Sequence, residues 1–227
     1  MMTRETPRRL PSIDAIAFGI GVVALAGTYL YPRLEVAFAL AVFLPSVLRE
    51  IGWLKDADEW TMGVTRRAGF HALMAVAILL FAGRLGPNVG AAFSGETPRK
   101  LLVEVFAVSY LLQYWGARAG TFRLLLGASV LTAASISIVL TGSFAERTTS
   151  AAGFVLLAAA GLAGLAFLAR RAPRATGWLL LALCALPLAM VISQHGESRL
   201  MWTPMVALLH AAVVLGISGV MLVRGRE

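Results

Sequence analysis

Residues 151–169 read AAGFVLLAAAGLAGLAFLA and residues 175–193 read ATGWLLLALCALPLAMVIS, with only RRAPR between them. Each of the two stretches has 19 residues and contains no Asp, Glu, Lys or Arg. A helix rises by about 1.5 Å per residue, so roughly 20 apolar residues match the thickness of the hydrocarbon core of a bilayer. The pair therefore predicts two membrane-spanning helices joined by a short cationic turn.

The same apolar pattern recurs along nearly the whole chain of 227 residues. Hydrophobic residues make up 59% of it and charged residues 14%, with a mean hydropathy of +0.79, whereas about a quarter of the residues in soluble domains are charged. We predict an all-α, polytopic membrane helix bundle with about eight transmembrane helices, forming a single integral membrane domain over residues 1–227. The other six spans are residues 13–31, 34–48, 68–85, 101–117, 122–144 and 203–223.

The second span decides the orientation of the later ones. Pro45 lies near its end, and a proline inside a helix can kink or stop it. If residues 34–48 do not cross the bilayer, the orientation of every later span inverts.

The cationic residues predict the orientation of the bundle. Of the 20 Lys and Arg residues, 14 fall in segments on the side where the chain starts and 6 on the opposite side. Cationic loops stay in the cytoplasm, so we expect both termini, including the short N-terminal segment 1–12, on the cytoplasmic side of the inner membrane. Orientation and contact with anionic lipid also account for the net charge of +8, and no nucleic-acid partner is expected.

Two patterns indicate how the bundle packs and where it meets the membrane surface. Trp53 and Trp60 recur at helical spacing within residues 49–67, which predicts an amphipathic helix lying at the cytoplasmic interface. Small residues four apart predict close helix contacts within the bilayer, because lipid tails provide no hydrophobic drive between helices. These small pairs are Ala15/Gly19, Ala17/Gly21, Ala160/Gly164 and Ala212/Gly216.

Polar residues inside apolar spans are costly, which makes them candidates for function. The predicted topology places the start of span four, the end of span seven and the start of span eight at one outer level. This outer polar group contains Glu104, Gln194, His195, Glu197 and His210. Carboxylate and imidazole together suit zinc or a proton relay. Alternatively, these residues form no common site: Glu104 extends to the lipid headgroups, and His210 is hydrogen-bonded to a neighbouring helix.

Further polar residues have simpler interpretations. Ser109 and Gln113 share one face of span four, where they line a cavity or hydrogen-bond to a neighbouring helix. Asp14 opens span one, where a carboxylate meets free backbone N–H groups and the positive end of the helix dipole. We interpret Asp14 as a helix-start residue without a functional role.

Recognisable catalytic motifs are missing from the sequence. It contains no HExxH, GxSxG, CxxC or GxxxxGK[ST] pattern, and we predict no cofactor. The leading interpretation is a non-enzymatic accessory or scaffolding subunit of a membrane complex, with the bilayer and other membrane subunits as partners. The alternatives are a transporter for a small or lipophilic molecule, and a membrane enzyme or metal protein that uses the outer polar group.

Overall fold

The computed structural model describes residues 12–27, 31, 33–55, 58–82, 97–141, 148–193 and 202–225. Eight α-helices and no strands occur within these ranges, so the all-α prediction and the number of helices are confirmed for the described residues. Within the same ranges, none of the helices combines the length and apolarity needed to cross a membrane. The helices are α1 (Ser12–Gly27), α2 (Leu34–Glu50), α3 (Glu59–Ala82), α4 (Thr97–Trp115), α5 (Ala117–Thr141), α6 (Thr148–Arg171), α7 (Pro173–Ser193) and α8 (Trp202–Arg224).

Helix α2 passes through its proline without ending. Pro45 is buried, and the helix runs on to Glu50, two residues beyond the predicted end. Proline lacks the backbone N–H that would donate one hydrogen bond within the helix. Helix α2 nevertheless continues on both sides of Pro45.

The segment 49–67 differs from the single amphipathic helix that the sequence predicts. Arg49 and Glu50 end α2, a turn follows, and Glu59 begins α3. Gly52 lies in the turn with φ +78°, a left-handed conformation that favours glycine. Asp58 caps α3, because its Oδ1 accepts hydrogen bonds from the backbone N–H and the hydroxyl of Thr61 at 2.8 and 2.7 Å. The location of this segment at a membrane surface stays a prediction.

Consecutive helices pair as four antiparallel hairpins. In α1–α2, Asp14 near the start of one helix meets Arg49 at the end of the other. In α3–α4, the rings of Trp60 and Tyr114 lie 5.1 Å apart. In α5–α6, the guanidinium of Arg170 lies 3.6 Å from the centre of the Phe122 ring. In α7–α8, Gly177 near the start of one helix packs against Gly219 and Val223 near the end of the other.

These contacts bring the starts of the odd-numbered helices and the ends of the even-numbered helices to one end of the bundle, here called the base. The turns between hairpins lie there, and two of them consist of one residue, Gly116 and Ala172. Gly116 has φ +79°, a conformation that a side chain would strain. The base is the end that the sequence predicts to be cytoplasmic.

Helix α4 is the central element. It packs against α2, α3, α5 and α8. The hydroxyl of its Tyr110 also contacts Asp14 on α1. One hydrophobic core forms around α4 with α1, α2 and α3, and includes Phe38, Val64 and Phe106. A second core forms among α5 to α8, around Leu125 and Leu180.

Candidate functional site

A buried ion pair joins α1 and α2 at the base. Arg49 Nη1 donates a hydrogen bond to Asp14 Oδ1 over 2.7 Å. The side chain of Arg49 is 1% exposed and that of Asp14 is 3% exposed. A buried charge is tolerated when it is paired and hydrogen-bonded, and this pair meets both conditions.

Tyr110 brings α4 into the same cluster. Its hydroxyl donates to Asp14 Oδ2 over 2.6 Å, so each carboxylate oxygen of Asp14 accepts a hydrogen bond. The Tyr110 ring stacks on Tyr114 at 5.8 Å and lies 5.6 Å from Phe18. The resulting cluster of Asp14, Arg49 and Tyr110, here called the base triad, holds three helices in one register.

The local sequence explains why these side chains meet. Asp14 is the third residue of α1, and Arg49 lies in the last turn of α2. Because the two helices are antiparallel, the start of one faces the end of the other. A carboxylate near a helix start and a cation near a helix end are also each favoured by the helix dipole. The dipoles and the pairing therefore act in the same direction.

A groove lies next to the triad, between α2, α3 and α4. Its volume is about 310 Å³, at the lower end of the roughly 300–1,000 Å³ typical of ligand pockets. Its walls are mainly apolar, and its polar residues are Ser46, Glu50, Thr65 and Arg66. The apolar lining consists of Phe43, Val47, Ile51, Gly69, Ala72, Leu102 and Phe106.

The polar residues of the groove differ in whether they have hydrogen-bond partners. Arg66 donates to Glu50 through Nε at 3.0 Å and through Nη2 at 3.3 Å. These hydrogen bonds and the positive charge of Arg66 lower the pKa of the Glu50 carboxyl below its ordinary value of 4.5. The hydroxyl of Thr65 is buried and has no hydrogen-bond partner among the described residues. An unsatisfied buried hydroxyl of this kind requires an explanation.

The predicted outer polar group is only partly described. Glu104 lies half-buried on α4, six residues before Tyr110 and therefore toward the end of the bundle opposite the base. His195 and Glu197, like Gln194, lie outside the described residues, as does the side chain of His210. Their convergence with Glu104 stays a prediction. Among the side chains that the structure describes, no three His, Cys, Asp or Glu lie together as a metal site would require.

The predicted cavity residues Ser109 and Gln113 lie on the central helix. Ser109 is 1% exposed, and Gln113 is half-buried with its Nε2 unpartnered within the described ranges. Neither of them lines the groove. Whether they line a different cavity stays a prediction.

The base triad was not predicted from the sequence, which indicated only a helix-start role for Asp14. Asp14 does lie in the first turn of α1, but its carboxylate is occupied by Arg49 and Tyr110. A usable signal was present: the predicted topology places Asp14 and Arg49 on the same side of the bilayer, at adjacent helix ends. The Asp14 carboxylate accepts from a cation on α2 and from a hydroxyl on α4, an arrangement that suits helix clamping.

Comparison with known proteins gives no further assignment, because no protein family, curated protein or solved structure matches the chain.

Proposed function

We propose that this chain is a multi-pass protein of the cytoplasmic membrane that acts as a non-enzymatic accessory or scaffolding subunit of a membrane complex. The observation that carries the proposal is the distribution of exposed apolar side chains. Large hydrophobic residues are exposed on seven of the eight described helices, all except the central α4. Val23, Phe81 and Leu157, for example, are 73%, 77% and 72% exposed.

The sequence supports a bilayer as the medium around these side chains. Soluble monomers rarely expose large contiguous apolar patches, whereas a membrane protein presents apolar side chains to lipid. Residues 148–169, 175–196 and 200–223 are each at least 22 residues long and contain no Asp, Glu, Lys or Arg. Stretches without charge over this length match the roughly 20 residues that a span requires. The excess of cations at the base supports a cytoplasmic location for both termini.

The base triad supports a structural role over the transporter alternative. A transporter requires a polar substrate site near the middle of the bilayer, formed by interrupted helices. Asp14 and Arg49 instead satisfy each other close to one end of the bundle. The enzyme alternative depends on Glu104 together with His195, Glu197 and His210, whose side chains lie outside the described residues, and the triad does not bear on it.

The membrane placement is tested by extraction and by reporter fusions. Alkaline carbonate should leave the protein in the membrane pellet, and detergent should release it. Reporters fused after Glu227 and inserted within residues 86–96 should give cytoplasmic and periplasmic signals, respectively. Release by carbonate, or a periplasmic signal at Glu227, would contradict the proposal.

The subunit role is tested by native purification. The tagged chain is expressed at its natural level and solubilised in a mild detergent, and the co-purifying proteins are quantified by mass spectrometry. An unrelated multi-pass protein with the same tag and abundance serves as the control. We expect at least one membrane protein in near-stoichiometric amount that is absent from the control. Recovery of the 24.1 kDa chain alone, with no enriched partner, would count against a subunit role.

A further inference from the structure

The groove between α2, α3 and α4 has the form of a site for an elongated amphipathic molecule. Along α2 its lining extends from Glu50 at the base to Phe43, a rise of about 10 Å for seven helical residues. The ionic side chains of Glu50 and Arg66 lie at the base end. The deeper part, near Leu102 and Phe106, is apolar. The apolar part matches the segment of an acyl chain nearest the glycerol, and the polar headgroup would lie at the ionic end.

The two charges at the groove entrance specify the headgroup. Glu50 and Arg66 are bonded to each other, with side chains 41% and 70% exposed. An anionic headgroup would meet Arg66 favourably and Glu50 unfavourably. A zwitterionic headgroup satisfies both residues, because its phosphate accepts from the guanidinium while its ammonium donates to the carboxylate.

Thr65 provides an independent indication of a ligand. Its residue is 6% exposed and lines the groove, and its hydroxyl lacks a partner within the described residues. Thr65 is buried next to the exposed Arg66 in α3, so its hydroxyl lies beside the ionic entrance, behind the wall of the groove. A phospholipid carries ester carbonyl oxygens between its phosphate and its acyl chains, and a turn of the Thr65 side chain toward the groove would let the hydroxyl donate to one of them.

We propose that this groove binds one phospholipid with a primary-ammonium headgroup, of the phosphatidylethanolamine class. In this arrangement Arg66 binds the phosphate, Glu50 accepts from the ammonium, and Thr65 donates to an ester carbonyl. A trimethylammonium headgroup carries a positive charge but no N–H to donate, and a glycerol headgroup carries no positive charge. The inference rests on the membrane placement proposed above, and it identifies a particular lipid as a partner.

Lipid selectivity is measured by native mass spectrometry of the full chain in detergent. Phosphatidylethanolamine, phosphatidylcholine and phosphatidylglycerol with identical acyl chains are added at equal concentrations. We expect the wild-type chain to bind the ethanolamine lipid at least fivefold more than either of the others. Equal binding of the three lipids, or a preference for the glycerol lipid, would overturn the proposal without any variant.

Substitutions then locate the binding. Glu50→Gln should abolish the preference for ethanolamine over choline, and Arg66→Gln should weaken binding of all three lipids. Thr65→Val should reduce ethanolamine-lipid binding at least twofold. Arg67→Gln is the matched control, because Arg67 is exposed, bonds to the Gly63 carbonyl and does not line the groove. Unchanged selectivity in Glu50→Gln would overturn the assigned role of the carboxylate.

A steric variant tests the groove itself. A side chain added at Gly69 would meet no atom within 4 Å of its Cβ, so Gly69→Leu should extend into the groove and reduce lipid binding at least fivefold. Gly127→Leu is the control, since it has the same open space on α5 and lies away from the groove. Undiminished binding in Gly69→Leu would place the lipid elsewhere and overturn the proposal.

The outcomes separate this inference from the proposed function. A chain that resists carbonate and co-purifies with a partner, but binds the three lipids equally, refutes the lipid site alone. A chain released by carbonate refutes the membrane placement, and the lipid site with it.

Discussion

The two halves of the bundle hold their helices together in different ways. The interior of α1 to α4 contains a buried ion pair, a tyrosine hydroxyl and several stacked aromatic rings. The buried residues of the core of α5 to α8 are aliphatic, and α7 and α8 approach closely at Gly177 and Gly219. One buried hydrogen bond, from the Ser129 hydroxyl to the Ala159 carbonyl, joins α5 to α6. Charged and aromatic contacts fix the register in the first half, whereas close approach of small residues packs α7 on α8 in the second.

This difference determines how each half responds to substitution. A directional pair is sensitive to loss of either partner, because the remaining charge stays buried. A close backbone contact is sensitive to added volume, because a backbone atom cannot move aside as the end of a flexible side chain can. The predictions that follow test each half by the change to which it should be most sensitive.

The largest effect is expected from removing one member of the buried pair. Arg49→Met leaves the Asp14 carboxylate buried without its cation and should cost about 3–5 kcal/mol in unfolding free energy. The double variant Asp14→Leu with Arg49→Met should recover most of this loss, because an apolar replacement of a buried pair is often close to neutral. Unfolding in mixed detergent micelles measures the free energies.

A double-mutant cycle provides the control for that measurement. The interaction energy between Asp14 and Arg49 should be large and opposite in sign to the single losses, whereas Arg67→Gln on the surface should change little. If the losses at Asp14 and Arg49 simply add, then the ion pair is not what holds α1 to α2.

A smaller loss is expected at the third member of the triad. Tyr110→Phe keeps the ring and its stacking on Tyr114 but removes the hydrogen bond to Asp14. A hydrogen bond to a charged group contributes about 1.5–3 kcal/mol, so the unfolding free energy should fall by that amount. In the Asp14→Leu, Arg49→Met background the same substitution should cost much less. An equal loss in both backgrounds would show that the hydroxyl acts independently of Asp14.

The helices were predictable from the sequence, and some of their ends were not. Each of the eight apolar stretches contains a described helix, because apolar runs of this length exceed the usual length of a strand. Helix α3, however, begins at Glu59, nine residues before the predicted start of span three. Its first turns mix polar and apolar residues and are stabilised by the Asp58 cap, a local feature to which hydropathy is insensitive.

The contacts between helices were predictable only in part, because spacing within one helix does not identify its partner. Of the small pairs, Gly21 and Gly216 do meet neighbouring helices, at Val42 and Cys184. Gly19 and Gly164 face open space instead. The backbone contact between Gly177 and Gly219 was missed, since its members lie on different helices and form no four-residue pattern within either one.

The same contact provides a test of the second half. A Cβ at Gly219 would lie 2.9 Å from the Gly177 carbonyl oxygen and 2.9 Å from Leu181 Cγ. Gly219→Ala should therefore destabilise the bundle by about 1–3 kcal/mol through overpacking. Gly161→Ala is the matched control: its Cβ would meet nothing within 4 Å, and helix propensity should stabilise it by up to about 1 kcal/mol. Similar effects at the two positions would contradict close packing of α7 on α8.

The smallest effect on stability is expected at the exposed pair of Glu50 and Arg66, which we compare with the buried pair of Asp14 and Arg49. The pKa of Glu50 is lowered in the folded chain by its hydrogen bonds to Arg66. A carboxyl with a depressed folded pKa contributes stability above its unfolded value, near 4.5, and that contribution is lost as the pH falls through the folded pKa. The melting temperature of the wild type should therefore exceed that of Glu50→Gln slightly at pH 6, and the difference should vanish at low pH.

Salt at about 1 M should also remove the difference, because exposed charges are screened. The loss caused by Arg49→Met should persist in the same salt, since the buried pair is shielded from ions. Equal salt sensitivity of the two pairs would contradict the burial of Asp14 and Arg49.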